Sequence, residues 1–332
     1  MRKAVLLLAS MALALLLACT TAALTAEQTV GQTAPVTLVG AGDIADCSNT
    51  NDEATAALLA NIPGTVFTLG DNAYPSGTRA QFANCYDNYR LSNHSAYDPS
   101  RPAWWGQYKN RTMPTLGNHE YFNSSDPSSK SKPYFDYFSA QNGFLQPAAP
   151  VPSPGLTLGK GYYSYDRGSW HIVALNSNCE YVSCGSKSIQ ARWLRNNLAN
   201  TTNKQCTLAY FHHPLYASGT GSDTPEVKPL WRILYNNHAD VILSGHAHRY
   251  ERFRPINPDG QPDSVNGIRQ FIVGTGGPPG AGQSGADDPN VQVKNIGTPG
   301  VIKLSLATGS YSWKFVPIAG QTFTDSGSES CH

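Results

Sequence analysis

The chain has 332 residues, of which 40% are hydrophobic and only 14% charged, with 24 Lys and Arg against 23 Asp and Glu. That composition is globular, and the length suits one large α/β domain or two small ones. The near-zero balance gives no bulk charge that would draw the chain to nucleic acid or to an anionic membrane surface.

In chain order, Arg2 and Lys3 precede the almost wholly apolar run 5–17 and then small residues. This is the layout of a secretory signal, and it is too short to span a bilayer. Leu16-Leu17-Ala18-Cys19 resembles a lipobox, which would lipidate Cys19 and anchor the protein to a membrane face. Ordinary cleavage after Ala23 or Ala26, with release, is the alternative. The expected layout is a signal peptide over 1–19, a linker over 20–34 and one domain over 35–332.

Residues 35–43 read as a buried strand ending at Asp43, 51–60 as a helix, and 65–71 as a second strand ending at Asp71. Such a strand–helix–strand unit implies parallel strands. Residues 112–118 read as a strand, and 123–133 and 145–160 as Ser/Pro/Gly-rich loops. A hairpin turns at Asp166–Ser169. A helix over 188–198 leads to a strand over 207–211, and a helix over 225–237 to a strand over 240–244. After Tyr250 come strands at 269–274, 301–307 and 311–317 with no helix between them. The pattern predicts an α/β fold, a four-layer α/β/β/α sandwich of two mixed sheets flanked by helices, with functional groups at the carboxyl ends of strands. Six cysteines follow Cys19. An even number in an exported chain points to disulfides, and of fifteen possible pairings the expected one is 47–85, 179–184 and 206–331. There is no Cys-x-x-Cys pair to suggest a thiolate metal site.

Five strand ends carry the chemistry: Gly42-Asp43, Gly70-Asp71-Asn72-Ala73-Tyr74, Gly117-Asn118-His119-Glu120, Phe211-His212-His213-Pro214 and Gly245-His246-Ala247-His248-Arg249-Tyr250-Glu251-Arg252. Carboxylate, phenol, amide and imidazole ligands together suit Fe, Mn or Zn. Glycine before a ligand lets the backbone turn sharply. His246 and His248, two apart on an extended segment, point to opposite sides and suit two ions. Gly-Asp alone marks any turn, whereas Gly-His-x-His-x-Tyr-Glu-Arg is specific and five such motifs in order are more so.

The pattern resembles the calcineurin-like metallophosphoesterase superfamily over about residues 36–276, and within it the purple acid phosphatase branch. Ala45 stands where many relatives have a ligand histidine, and Tyr74 stands where the branch has its ligand tyrosine. The resemblance implies two metal ions, Fe(III) with Zn, Mn or Fe(II). Asp43, Tyr74 and His248 would hold the first, Asn118, His212 and His246 the second, and Asp71 would bridge them. It further implies that His119 contacts the phosphoryl group and aids the leaving group, and that a metal-bridging hydroxide attacks a small phosphorylated substrate, a phosphomonoester, in line. Glu251 and Arg252 are read as loop support.

One departure stands out: the branch's second acidic histidine is absent, with Gly221 and Ser222 in its place. His213 or His94 would have to replace it, which puts an acid pH optimum in doubt. Singly, Asp43 and Asp71 read as turn carboxylates, His171 as a sheet residue, and His238 as a cation at a helix end. Trp104 and Trp105 suit either a substrate rim or a satellite hydrophobic cluster. The same motifs serve phosphodiesterases, and a catalytically quiet metal-bound surface protein is the rival from another class.

Overall fold

The computed structural model describes residues 34–88, 101–122, 130–139, 160–201, 204–220, 223–278, 280 and 284–332. The signal, Cys19, nearly all of the linker, His94, Gly221 and Ser222 lie outside the described residues.

Two sheets face each other. The first has the order β13-β12-β11-β1-β2-β3. It comprises β1 (Val36–Ala41), β2 (Thr65–Thr68), β3 (Thr112–Met113), β11 (Gly300–Ala307), β12 (Ser310–Pro317) and β13 (Ser326–Ser330). The second has the order β10-β8-β9-β7-β6-β5-β4. It comprises β4 (Tyr163–Arg167), β5 (Trp170–Ala174), β6 (Cys206–Tyr210), β7 (Val241–Ser244), β8 (Arg249–Phe253), β9 (Arg269–Val273) and β10 (Val291–Ile296). The central strands are parallel, β1-β2-β3 in one sheet and β5-β6-β7-β9 in the other, while the outer pairings are antiparallel. Among the described residues, five α-helical segments connect them: α1 (Asn51–Ala60), α2 (Arg79–Gln81) running into a π-helical turn Phe82–Tyr86, α3 (Lys132–Ser139), α4 (Ile189–Ala199) and α5 (Lys228–Asn236).

The inner faces of the sheets meet in one core, where Phe67 packs on Tyr210 with ring centroids 5.7 Å apart and Phe271 on Trp313 at 5.4 Å. On the outside of the second sheet, Val173, Ala209, Ile242 and Ile272 bury against Trp193 and Leu194 of α4 and Leu230, Trp231 and Leu234 of α5. Strands covered on both faces carry apolar residues on both, which is why β2, β5, β6 and β7 are buried throughout. The four-layer expectation holds.

The differences from expectation have local causes. Only Thr112–Met113 of the strand expected over 112–118 pairs. Pro114 has no N–H to give, and the Thr115 hydroxyl donates to the Thr68 carbonyl at 2.7 Å instead. The loop expected over 123–133 gives way at Lys132 to α3, which buries Tyr134, Phe135 and Phe138. The helix expected over 225–237 opens as a 3-10 turn, Pro225–Val227, before α5. β8, β10 and β13 were not expected: β8 (Arg-Tyr-Glu-Arg-Phe) and β10 (Val-Gln-Val-Lys-Asn-Ile) mix charged or polar with apolar residues, and β13 is Ser-Gly-Ser-Glu-Ser and largely solvent-facing. The three disulfides pair as expected, Cys47–Cys85, Cys179–Cys184 and Cys206–Cys331. Arg101 reinforces the first of these, donating to Asp52 and Glu53 of α1 and to the carbonyls of Asn84, Cys85 and Asp87. Trp105 is buried and its indole donates to Thr55 of α1, so it serves the core and not a rim.

Candidate metal centre

The expected side chains converge beyond the carboxyl ends of parallel strands, Asp43 past β1, Asp71 past β2, Asn118 past β3, His212 past β6 and His246 past β7. They form two groups. In the first, the Tyr74 hydroxyl lies 2.9 Å from Oδ1 of Asp43 and 3.0 Å from Nε2 of His248, and that nitrogen is 3.2 Å from the same Asp43 oxygen. In the second, Nε2 of His212 lies 2.9 Å from Oδ1 of Asn118 and 3.2 Å from Nδ1 of His246, and the latter is 3.1 Å from the Asn118 oxygen. Oδ2 of Asp71 stands between the groups, 3.0 Å from the Tyr74 hydroxyl and 3.3 Å from Nε2 of His212. Each group draws on both sheets, through Asp43, Tyr74 and Asn118 on one side and His248, His212 and His246 on the other.

The backbone is bent to make this possible. Asp43, Asp71 and His246 have φ of 58°, 49° and 68°, a left-handed conformation that costs a non-glycine residue about 1–3 kcal/mol. Each carboxylate spends its other oxygen on a backbone donor: Asp43 Oδ2 accepts from His246 N–H at 2.8 Å, and Asp71 Oδ1 from His119 N–H at 2.9 Å. A Cβ on Gly117 would stand 2.0 Å from Asp71 Oδ1, and one on Gly245 2.7 Å from Asp43 Oδ2, so only glycine lets these chains approach. The segment 245–248 is therefore not extended as expected. His246 and His248 still turn to different groups, because two tight turns, Ala247 N–H to Gly245 O and Arg249 N–H to Ala247 O, separate them.

The electrostatics call for cations. Nδ1 of His212 faces the Leu69 carbonyl at 2.7 Å, so it must donate, which leaves Nε2 for the centre. Burial opposes charging His212, yet Asp71 and then Asp43 carry it up to about 9, so without a cation a proton fills that role. Burial pushes Asp71 upward, but His212 and His119 hold it well below the usual carboxylate range. His246 is pushed down to about 4 by burial and by His212. Burial, then Asp43 and Asp71, raises the Tyr74 phenol well above its ordinary value. One hydroxyl hydrogen cannot satisfy the two carboxylates and the imidazole around it. Converging oxygen and nitrogen lone pairs of this kind fit bound metal ions.

Residues 24–250 match the model of the calcineurin-like phosphoesterase family. The chain belongs to that family. It is similar to purple acid phosphatase 15 of Arabidopsis thaliana, 26% identical over 293 residues that cover 83% of this chain and 51% of that protein. It thus spans about half the length of that curated relative. Among solved structures, purple acid phosphatase PPD1 from yellow lupin (Lupinus luteus) seeds superposes with a TM-score of 0.66 at 19% identity, covering 90% of this chain and 54% of that one. GAP50, described as the anchor in the inner membrane complex of Plasmodium, does so at 0.59 and 14%, covering 88% of each. These likenesses carry the fold.

Around the calcineurin-like centre lies support that the sequence reading under-weighted. Glu120 is fully buried, its Oε2 accepting from Gly117 and Asp71 N–H at 2.6 and 3.0 Å and its Oε1 from Asn72 N–H at 2.7 Å. Its signal was in plain view, a carboxylate three residues after a strand-end glycine. Glu251, read as loop support, accepts from Arg249 and from Ser218 N–H, and Arg249 also reaches the Ser218 carbonyl. Arg252 instead binds Asp325 and Gln292. Nδ1 of His213 lies 2.9 Å from the Ser177 hydroxyl, with its ring 4.6 Å from that of His246. His171 bridges Asp166 and Asn197 within the fold.

Residues 176–184 brace the segment that carries Asn118 and His119. The Asn176 amide donates to the Tyr121 hydroxyl at 2.8 Å, and Tyr181 stacks on Tyr121 with centroids 4.2 Å apart. The Cys179–Cys184 bridge closes this loop across a separation of only 5 residues, for which chain entropy gives about 2 kcal/mol. A Cys179→Ser, Cys184→Ser double variant is expected to melt about 5 °C lower by calorimetry. An unchanged Tm would assign the bracing to Asn176 and Tyr181 alone.

Proposed function

We propose that the chain is an exported two-metal phosphomonoesterase. What supports the reading above all is the position of Asp71 Oδ2, within 3.3 Å of both ligand groups at once. In this reading Asp43, Tyr74 and His248 hold Fe(III), Asn118, His212 and His246 hold Zn, Mn or Fe(II), and Asp71 serves both. Two such ions supply a nucleophile at neutral pH and neutralise the phosphoryl oxygens. The chain supplies position and a proton. Nδ1 of His119 lies 2.6 Å from the Pro75 carbonyl and must donate to it, so the ring is pinned with Nε2 turned towards the centre, 3.7 Å from Asp71 Oδ2. Once protonated, Nε2 donates to the departing ester oxygen, and the ring is already oriented when substrate arrives.

Three disulfides suit an oxidising compartment, as export requires. No helix among the described residues is long and apolar enough to cross a membrane, and the signal and any lipid on Cys19 would act through the N-terminal segment.

The test is metal content, visible spectrum and turnover on one preparation, with an aryl phosphate and its bis-aryl diester as substrates. Two metals per chain including iron, a tyrosinate band lost in Tyr74→Phe, and preference for the monoester are the expected results. Colourless, iron-free but active protein would remove Tyr74 as an iron ligand. Diester preference would reassign the substrate class, and metal-bound protein inert to both would return the quiet binding protein.

A further inference from the structure

Of the large apolar side chains exposed among the described residues, Phe122 is the aromatic one, at 56% exposure. Scattered exposed apolar residues need no explanation, but the place of this one is unusual. Its ring centroid is 4.8 Å from that of His119, and the His119 ring is 4.5 Å from that of Tyr74. Exposure rises along the row, from 6% for Tyr74 through 27% for the His119 side chain to 56% for Phe122. The three rings therefore lead from the buried ligand groups out to solvent. The row is held from below. His119 is fixed by Asp71 through its backbone N–H and by Pro75 through its ring, and Phe122 N–H donates to the His119 carbonyl at 3.3 Å.

A phosphoryl group at the centre with its ester oxygen at His119 puts the organic part of the alcohol at the outer end of this row. We infer that Phe122 is a specificity residue, a platform on which a flat leaving group stacks. The chain then prefers aryl or heteroaromatic phosphomonoesters over small alkyl ones. The inference rests on the phosphomonoesterase reading above and adds the substrate class. An aromatic ring bound face-on or edge-on to Phe122 gains stacking and apolar burial, whereas a short alkyl chain reaches little of that surface.

The experiment compares kcat/KM for phenyl phosphate and for ethyl phosphate in the metal-loaded protein and in its Phe122→Ala and Phe122→Trp variants. In parallel, calorimetry compares binding of phenylphosphonate and methylphosphonate, which needs no turnover. The expected result is that Phe122→Ala lowers the aryl-to-alkyl ratio about tenfold, with ethyl phosphate within twofold of the parent. Phe122→Trp retains the ratio, and the binding advantage of phenylphosphonate disappears only in the alanine variant. Equal losses on both substrates would mean that Phe122 merely props His119, and an unchanged ratio would mean that the leaving group lies elsewhere. Either result overturns the inference. If the parent hydrolyses neither ester, the phosphomonoesterase reading fails, and the phosphonate pair still decides whether Phe122 holds an aromatic ring.

Discussion

Asp71→Asn is expected to lower phosphomonoester turnover on the order of 10³-fold while the protein still folds. Asn retains an oxygen at the Oδ1 position, so it keeps the bond that His119 N–H donates at 2.9 Å. Asn is also among the few residues that tolerate the left-handed φ of 49° found there. What it loses is charge and a lone pair at Oδ2, the atom that faces both Tyr74 and His212. An amide NH2 in that position presents hydrogens where cations are to bind. The measurement is metal stoichiometry beside kcat, with circular dichroism as the control for folding. A D71N protein with two ions and parental turnover would show that the groups bind independently and that Asp71 is not shared.

Glu120→Gln tests the layer beneath. The two side chains have the same shape, yet the glutamine amide would turn its NH2 towards an N–H donor. In the parent, Oε2 takes two such donors and Oε1 takes one. Burial and then Asp71 push Glu120 up to about 7, while the N–H groups of Gly117 and Asn72 pull it back. Three N–H donors shared between its two oxygens are the bonding pattern of a carboxylate. With the amide oxygen at the Oε2 position, the Asn72 N–H is left unpaired, which costs roughly 2–3 kcal/mol and corresponds to a Tm lower by roughly 5 °C. Asp71 would also lose part of what holds its strained φ, so activity should fall with stability. If Glu120→Gln melts like the parent at pH 8, Glu120 is protonated in the folded state and the three bonds are not its role.

The central strands were legible because burial on both faces leaves an apolar run that ends abruptly at a polar residue. The candidate side chains were legible because they fall at those ends, and resemblance rather than spacing assigned them to two groups. The polar strand β13 was not, because its partner β12 lies in the same chain but its own residues carry no alternation of apolar and polar character. The left-handed turns at Asp43, Asp71 and His246 were not either. They depend on tertiary partners, the donors His246 N–H and His119 N–H and the acceptor Glu120, that no local propensity encodes. Phe122 was missed because a single exposed phenylalanine has no signature until its neighbour in space is known.

Because each ligand group takes residues from both sheets, an ion seated there ties one half of the sandwich to the other across the open edge of the core. Binding of that kind favours the folded state by mass action. Metal supply would then govern how long the molecule survives as well as whether it works: in a metal-starved surrounding the empty protein would open more often and meet proteases sooner. A population short of the metal would lose the protein by attrition, and chelation should shorten its half-life towards trypsin before any change in its expression is seen.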